Sequence, residues 1–331
     1  MLHIHNGDST AVTARQSSLP GEHIAWREAL VDGPTPAGLS ADSWREVRAK
    51  HLADGYSARF EECLREWREL ENHLARSLEH EEAVLWFEHD LFCQINLLYL
   101  LDWFSKHDRS RTKLSLIFIG EFPGKDNFRG LGELNADQLA SLFDKRVPVT
   151  EPMLDAAQRA WAAYCSPNPQ AIEETIANSD SVFPFLSEAF ALHLLRFPSI
   201  RNGLGRVENT VLELVSQGHH KFKEIFPRFW ATAPRYGLGD AQVWNQMKRL
   251  VEAREALLVV DGLAQASQAQ MSEVMDARFD ITEHGSAVLG GRNHFVRLNG
   301  IDLWLGGVHL TNANLWEWDE DSQKLVRGNR Q

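Results

Sequence analysis

Two short runs, Ala83-Val84-Leu85-Trp86-Phe87 and Leu114-Ser115-Leu116-Ile117-Phe118-Ile119, are almost continuously apolar. A strand of this kind is expected where both faces are covered, which is the situation inside a parallel sheet flanked by helices. Two further runs precede them. Leu2-His3-Ile4-His5 stops at Asn6-Gly7-Asp8-Ser9, and Glu22-His23-Ile24-Ala25-Trp26 is closed by Asp32-Gly33-Pro34. Between the second and third runs, roughly Ser43 to Glu79 forms one long helical stretch rich in Arg, Glu and Leu, and Phe92 to Phe104 has apolar residues at helical spacing. Strands alternating with helices predict a Rossmann-like α/β domain over residues 1–134.

From Asn135 the pattern is helical. Asp137 to Phe143, Pro152 to Tyr164, Ala171 to Ala177 and Leu186 to Leu195 read as helices separated by Pro, Asn and Ser, giving a helical region over 135–203. Residues 204–331 follow another order: helices at Val207–Ser216, Phe222–Phe226 and Ala241–Ala253, then strands at Leu257–Val260 and Arg278–Ile281. Thr282 opens a short helix through Leu289, and Ile301–Gly306 is a last strand. Helices followed by a strand pair are the order of a winged-helix-like module.

Composition narrows the function classes. The 331 residues carry a formal net charge of −12, which disfavours nucleic acid as the main partner. Cys63, Cys93 and Cys165 lie far apart with no CxxC spacing, as expected of reduced thiols in a cytoplasmic protein rather than of a disulfide framework. No apolar run approaches the ~20 residues needed to span a bilayer, and MLHIHNGDST contains no signal-peptide apolar region. No P-loop or GxGxxG motif marks a nucleotide cofactor, and the sequence indicates neither a cofactor nor an oligomeric state.

Ligands of open parallel α/β sheets bind beyond the carboxyl ends of the strands. All four predicted strands end in polar residues: Asn6-Gly7-Asp8-Ser9, Arg27-Glu28, Glu88-His89-Asp90 and Gly120-Glu121. Two carboxylates around an imidazole suit a positioned general acid or base, with His89 moving the proton, Glu88 or Asp90 steering it, and Asp8 completing the set. The competing reading makes Asp90 the N-cap of the next helix, and both roles are compatible. Arg27 is the candidate for holding a small anionic molecule, or else it pairs with Glu28 or Asp90. His3 and His5 share one face of the first strand, but no third or fourth ligand accompanies them, so no metal is assigned.

Gly7-Asp8-Ser9 resembles the nucleophile block of the GDSL-type hydrolases, in which Ser9 would attack an acyl carbonyl. That family also needs Asp-x-x-His, and here Asp280 and His284 are spaced one residue too far apart. The alternative for this stretch is a turn glycine with Asp8 or Ser9 capping the first helix.

Longer segments carry a wider resemblance. HIHNGDST, GEHIAWREALVDGP and LWFEHDLFCQINLLYLLDWF, followed by FRGLGELNADQLASLF, RFPSIRNGLGRVEN and YGLGDAQVW, resemble the bacterial family called domain of unknown function 1835, over nearly the whole chain. The resemblance implies motif positions at His3, Gly7, Asp8, Ser9, Trp26, Arg27, Gly33, Pro34, Glu88, His89, Asp90 and Gln94. His5 stands where that pattern has an apolar residue, and Cys93 where it has an acidic one. The family implies no reaction. The expectation is therefore a small-molecule-binding protein or an enzyme, hydrolase or group transferase, with a cleft of Asp8, Ser9, Arg27, Glu88, His89 and Asp90, and with Gln94 and Glu121 nearby. The alternative is a ligand-sensing regulator whose winged-helix-like module contacts DNA or a partner protein.

Overall fold

The computed structural model describes residues 1–178, 182–263 and 265–328. In the first half lie β1 (Leu2–Asn6), α1 (Asp8–Arg15), β2 (Glu22–Trp26), β3 (Gly33–Pro34), α2 (Ala41–Tyr56) and α3 (Phe60–Ser77). They are followed by β4 (Glu82–Glu88), α4 (Leu91–Ser105), β5 (Lys113–Ile119), α5 (Ala136–Ala140) and β6 (Val147–Pro148). β2, β1, β4 and β5 lie parallel in that order, and β6 adds a short antiparallel edge. Every residue of β4 is buried, as its unbroken apolarity requires. One face of the sheet packs through Leu2, Ile4, Leu85, Phe87, Leu114 and Leu116. The other packs through Val84, Trp86 and Ile117 against Ala14, Leu19, Phe128 and Leu131.

The connections place the ligand crevice. The chain leaves β1 towards β2 on one side, then crosses to β4 on the other, so the strand order reverses between β1 and β4. A crevice opens beyond the carboxyl ends of strands at such a switch point. Here it lies next to Asn6 and Glu88.

The helical stretch expected over Ser43–Glu79 is two helices. Ser57 ends α2 in the left-handed region at φ 54°, which turns the chain into α3. Arg48, fully buried in α2, pairs with buried Glu28 and donates to the carbonyls of Asp32 (2.7 Å) and Pro34 (3.1 Å). This fastens the segment after β2, because a charge buried without its partner is costly.

The middle of the chain forms α6 (Glu151–Tyr164), α7 (Gln170–Ala177) and α8 (Leu186–Leu194). Next come α9 (Arg206–Ser216), α10 (Phe222–Thr232), α11 (Asp240–Val251), β7 (Leu258–Asp261), α12 (Met271–Val274), β8 (Arg278–Ile281), α13 (Glu283–Leu289) and α14 (Phe295–Asn299). Strands β9 (Asp302–Gly306), β10 (Val308–Thr311), β11 (Trp316–Asp319) and β12 (Lys324–Arg327) close the chain. These C-terminal strands form small antiparallel hairpins, β7 with β8, β9 with β10 and β11 with β12. β9 also pairs with β3, at Gly33 and Leu305, so the end of the chain is stitched to the segment that Arg48 fastens. One buried apolar cluster runs from Leu2 in β1 to Leu325 in β12. Among the described residues, no helix is long and apolar enough to cross a membrane.

Candidate functional site

Between β4 and α4 the chain bends over two residues, His89 and Asp90. Asp90 is the N-cap: with φ −76° and ψ 162°, it accepts the Cys93 N–H at 2.8 Å. Glu88 and Asp90 both line the same cleft, whereas His89 packs against Phe128 and Phe185. Glu88 takes the Cys93 thiol as a donor at 2.7 Å on one oxygen and the Leu131 N–H on the other. Asn6, at the end of β1, donates its amide to the Cys93 sulfur at 2.8 Å, and Asn96 holds Asn6 in place at 2.8 Å. Gln94 donates to the Glu88 carbonyl at 2.6 Å. Both strands of the switch point thus meet the first turn of α4.

Asn6, Glu88, Asp90 and Cys93 floor a cleft of about 660 Å³. One wall is the Gly-rich FRGLGELN loop. A Cβ on Gly130 would come 2.8 Å from Glu88 Oε1, and one on Gly132 3.2 Å from Ser9 Oγ. Arg129 and Glu133 stand on the same loop. The opposite wall comes from the C-terminal half: Phe226, Pro227 and Trp230 of α10, then Gly237, Gly239 and Gln242. Phe92 completes the aromatic lining.

Burial raises the carboxyl groups of both Glu88 and Asp90 above the usual carboxylate range, and the Asp90 charge pushes Glu88 further in the same direction. Two like charges this close and this dry resist being ionised together, so the pair retains a proton at higher pH than isolated carboxyls would. Burial also pushes the Cys93 thiol well up, which keeps it a neutral donor rather than a thiolate nucleophile.

Donor atoms of Glu88, Asp90 and Cys93 lie within 4.8 Å of one another, a spacing that a metal ion could bridge. Each of these groups already takes part in a hydrogen bond within the trio or with the backbone, and the N-terminus of α4 favours anions over cations.

The remaining expected site residues are dispersed. Ser9 lines the cleft. Gly7 takes φ 94° and is the turn glycine at the start of α1, yet neither Asp8 nor Ser9 caps that helix: Gly7 occupies the N-cap position. Asp8 instead pairs with Arg27 at 2.9 Å on the exposed surface, and Arg27 engages neither Glu28 nor Asp90. Trp26 is buried against Trp67 and Tyr99. Glu121 is exposed and lies outside the cleft lining.

His89 is buried among Phe128 and Phe185 and does not line the cleft. Burial, together with the Arg235 charge, lowers it to about 4. His3 and His5 share a sheet face, as their spacing requires, and are fully buried with His23 and Trp86. In place of the Asp280–His284 relation sought for a hydrolase, Asp280 pairs with His220 at 2.9 Å and His284 with Glu255 at 3.1 Å.

Asn6, Phe92, Arg129, Glu133, Phe226, Trp230 and Gln242 were not singled out as site residues from the sequence. The signal that could have found several of them is the pair of glycine-bearing segments FRGLGELN and YGLGDAQVW, which meet at this cleft. No protein-family model matches the sequence, and no curated protein matches it either. The resemblance to the domain of unknown function 1835 rests on the quoted motifs.

Proposed function

We propose that the cleft binds a small molecule and that Glu88 and Asp90 are its acid–base pair, which makes the protein an enzyme of the hydrolase or group-transfer class. The observation that carries this reading is the placement of two neighbouring, buried carboxyl groups on the floor of an aromatic-walled cleft at the sheet's switch point. One carboxylic acid can protonate a leaving group while the other, ionised, takes a proton from water or an acceptor hydroxyl. The flat rings of Phe92, Phe226 and Trp230 suit a planar or apolar ligand body, and the acid floor suits a hydrogen-bond-donating head. An anionic ligand would draw on Arg129, since Arg27 is taken by Asp8. Free, buried cysteines suit a cytoplasmic setting.

The second reading, a regulator, draws on the order α9–α10–α11 followed by the β7–β8 hairpin, with an added bridge from Lys221 to Arg278. We take this unit as winged-helix-like and as a scaffold. Its third helix would be the DNA-reading one, yet no residue of α11 is exposed. Gln242 donates to the Tyr56 hydroxyl at 3.0 Å and Lys248 to the Gly55 carbonyl at 3.4 Å, turning α11 onto α2. α10 and α11 act here as the lid wall of the cleft.

Ligand-observed NMR with a metabolite library tests the proposal. Compounds that bind the wild type should lose affinity at least tenfold in Glu88→Gln and Asp90→Asn, changes that keep shape and, for Asn, the helix cap. Equal binding by all three proteins would refute the carboxyl pair's role.

A further inference from the structure

Two hydroxyl groups in the carboxyl cleft have no partner. Thr10, on the first turn of α1, lines the cleft beside Ser9 and is only 3% exposed, yet its hydroxyl has no hydrogen-bond partner among the described residues. The more exposed Ser9 hydroxyl has none either. Buried polar groups are ordinarily paired, and a native orphan asks for an explanation. A carboxylate offers about four acceptor sites, and the Cys93 thiol and the FRGLGELN backbone do not exhaust those of Glu88.

The charges around this space are mostly negative. Among the described residues lining it, Glu88, Asp90 and Glu133 stand against Arg129 alone. Arg129 is half-exposed, and Glu133 lies 4.0 Å from its guanidinium. Cys93 stays a neutral thiol, and the wall from Phe226 to Gln242 adds no titratable group. The N-terminus of α4 favours the negative charge of the pair itself. Asp90 already caps that terminus, so a ligand meets carboxyl oxygens rather than bare amides. The uncommitted polar atoms of Thr10, Ser9 and the carboxyl pair can all accept hydrogen bonds, and aromatic side chains line the same cleft.

Resting on the reading of this cleft as the binding site, we propose that its ligand is a small organic cation, an amine or amidine head on a flat body, whose N–H groups donate to Glu88, Asp90 and Thr10 while the body lies against Phe92, Phe226 and Trp230. Aromatic faces attract a cation as well as a flat apolar surface. The net charge of −12 draws a cation in from solution. A cation bound here favours the ionised form of both carboxyl groups, so the proton that the empty pair retains is released on binding.

Titration calorimetry of the full chain with benzamidine, benzamide and benzoate, flat probes of similar shape carrying a positive, zero and negative charge, tests the assignment. At about pH 6.5 and about 0.15 M salt, where non-specific attraction is screened, benzamidine should bind saturably and at least tenfold more tightly than benzamide, with benzoate weaker still. Benzamidine titrations in two buffers of different ionisation enthalpy should show proton release. Glu88→Gln should abolish that release and, like Asp90→Asn, remove most of the preference for benzamidine. Thr10→Val, which keeps the branched shape, should weaken benzamidine roughly threefold. No saturable benzamidine binding up to about 10 mM, or benzamide or benzoate binding as tightly, would overturn the cationic class. A neutral or anionic probe that still loses affinity in Glu88→Gln would leave the carboxyl-cleft reading standing without it. Benzamidine binding unchanged in both carboxyl variants would overturn the two together.

Discussion

Gly237 lies directly against Asp90: a Cβ at the glycine would sit 2.1 Å from carboxylate oxygen Oδ1. The C-terminal half of the chain thus closes on the N-cap of α4 through bare backbone. Gly237 also takes φ 65°, a conformation that side-chain-bearing residues avoid. The contact brings the wall of the cleft to its acid floor.

Gly237→Ala should therefore cost more than the left-handed backbone alone. We expect a loss of about 2–4 kcal/mol in urea unfolding, combining conformational strain with displacement of Asp90. Gly38→Ala is the control: Gly38 has φ 81° but open space around a Cβ, so only about 1–2 kcal/mol should be lost. Equal losses would show that the Asp90 contact carries no weight.

The floor of this cleft was legible because strand ends are where parallel sheets bind ligands, and Glu88-His89-Asp90 directly follows a run of unbroken apolarity. The orientation of His89 was not legible: it lies in the bend after β4, and its packing against Phe128 and Phe185 is a tertiary contact. The aromatic wall was not legible. Phe226 and Trp230 have helical spacing, but spacing says only that a face is buried, not that it is buried against a turn more than a hundred residues earlier. The partner of Arg27 was hidden for a related reason. Asp8 comes beside it only through the parallel register that aligns Asn6 with Trp26, and register between distant strands is a tertiary property.

The raised carboxyl groups give stability a pH dependence of defined sign. In the folded protein Glu88 and Asp90 keep protons at pH values where the unfolded chain has released them, so the folded state binds more protons. Stability contributed by this pair is present below the ordinary carboxyl value, about 4, and declines as pH rises towards neutral. Glu88→Gln should be more stable than wild type at pH 8 by about 1–3 kcal/mol, and the gain should vanish near pH 4. A constant difference across this range would contradict the assignment.

The histidine cluster behind the sheet acts in the opposite sense. Burial and the neighbouring His23 hold His3 down at about 4 and His5 well below its usual value. His5 Nε2 shares a proton with His23 Nδ1 at 3.0 Å, and His5 Nδ1 has no partner. Their stabilising contribution is present above pH 6.5 and is lost as pH falls towards 4. His5→Leu removes one of these groups, so denaturant melts should show it gaining about 1–2 kcal/mol on wild type between pH 7 and 5. A parallel decline in both proteins would rule out a titrating His5.

The α11 helix has no fully exposed residue and hydrogen-bonds to α2 through Gln242 and Lys248. Fluorescence anisotropy with labelled duplex DNA at about 0.15 M salt should show no saturable binding below roughly 10⁻⁵ M, the range of non-specific association. Tighter binding would remove the scaffold reading of the C-terminal unit and favour the regulator.

A crystallographic fragment screen shows whether the carboxyl cleft takes ligands. Fragments should concentrate between Phe92, Phe226 and Trp230 and place a donor group within hydrogen-bonding distance of Glu88 or Asp90. Fragments scattered elsewhere, with this cleft empty across the screen, would contradict it and reduce the carboxyl pair to a structural network at the head of α4.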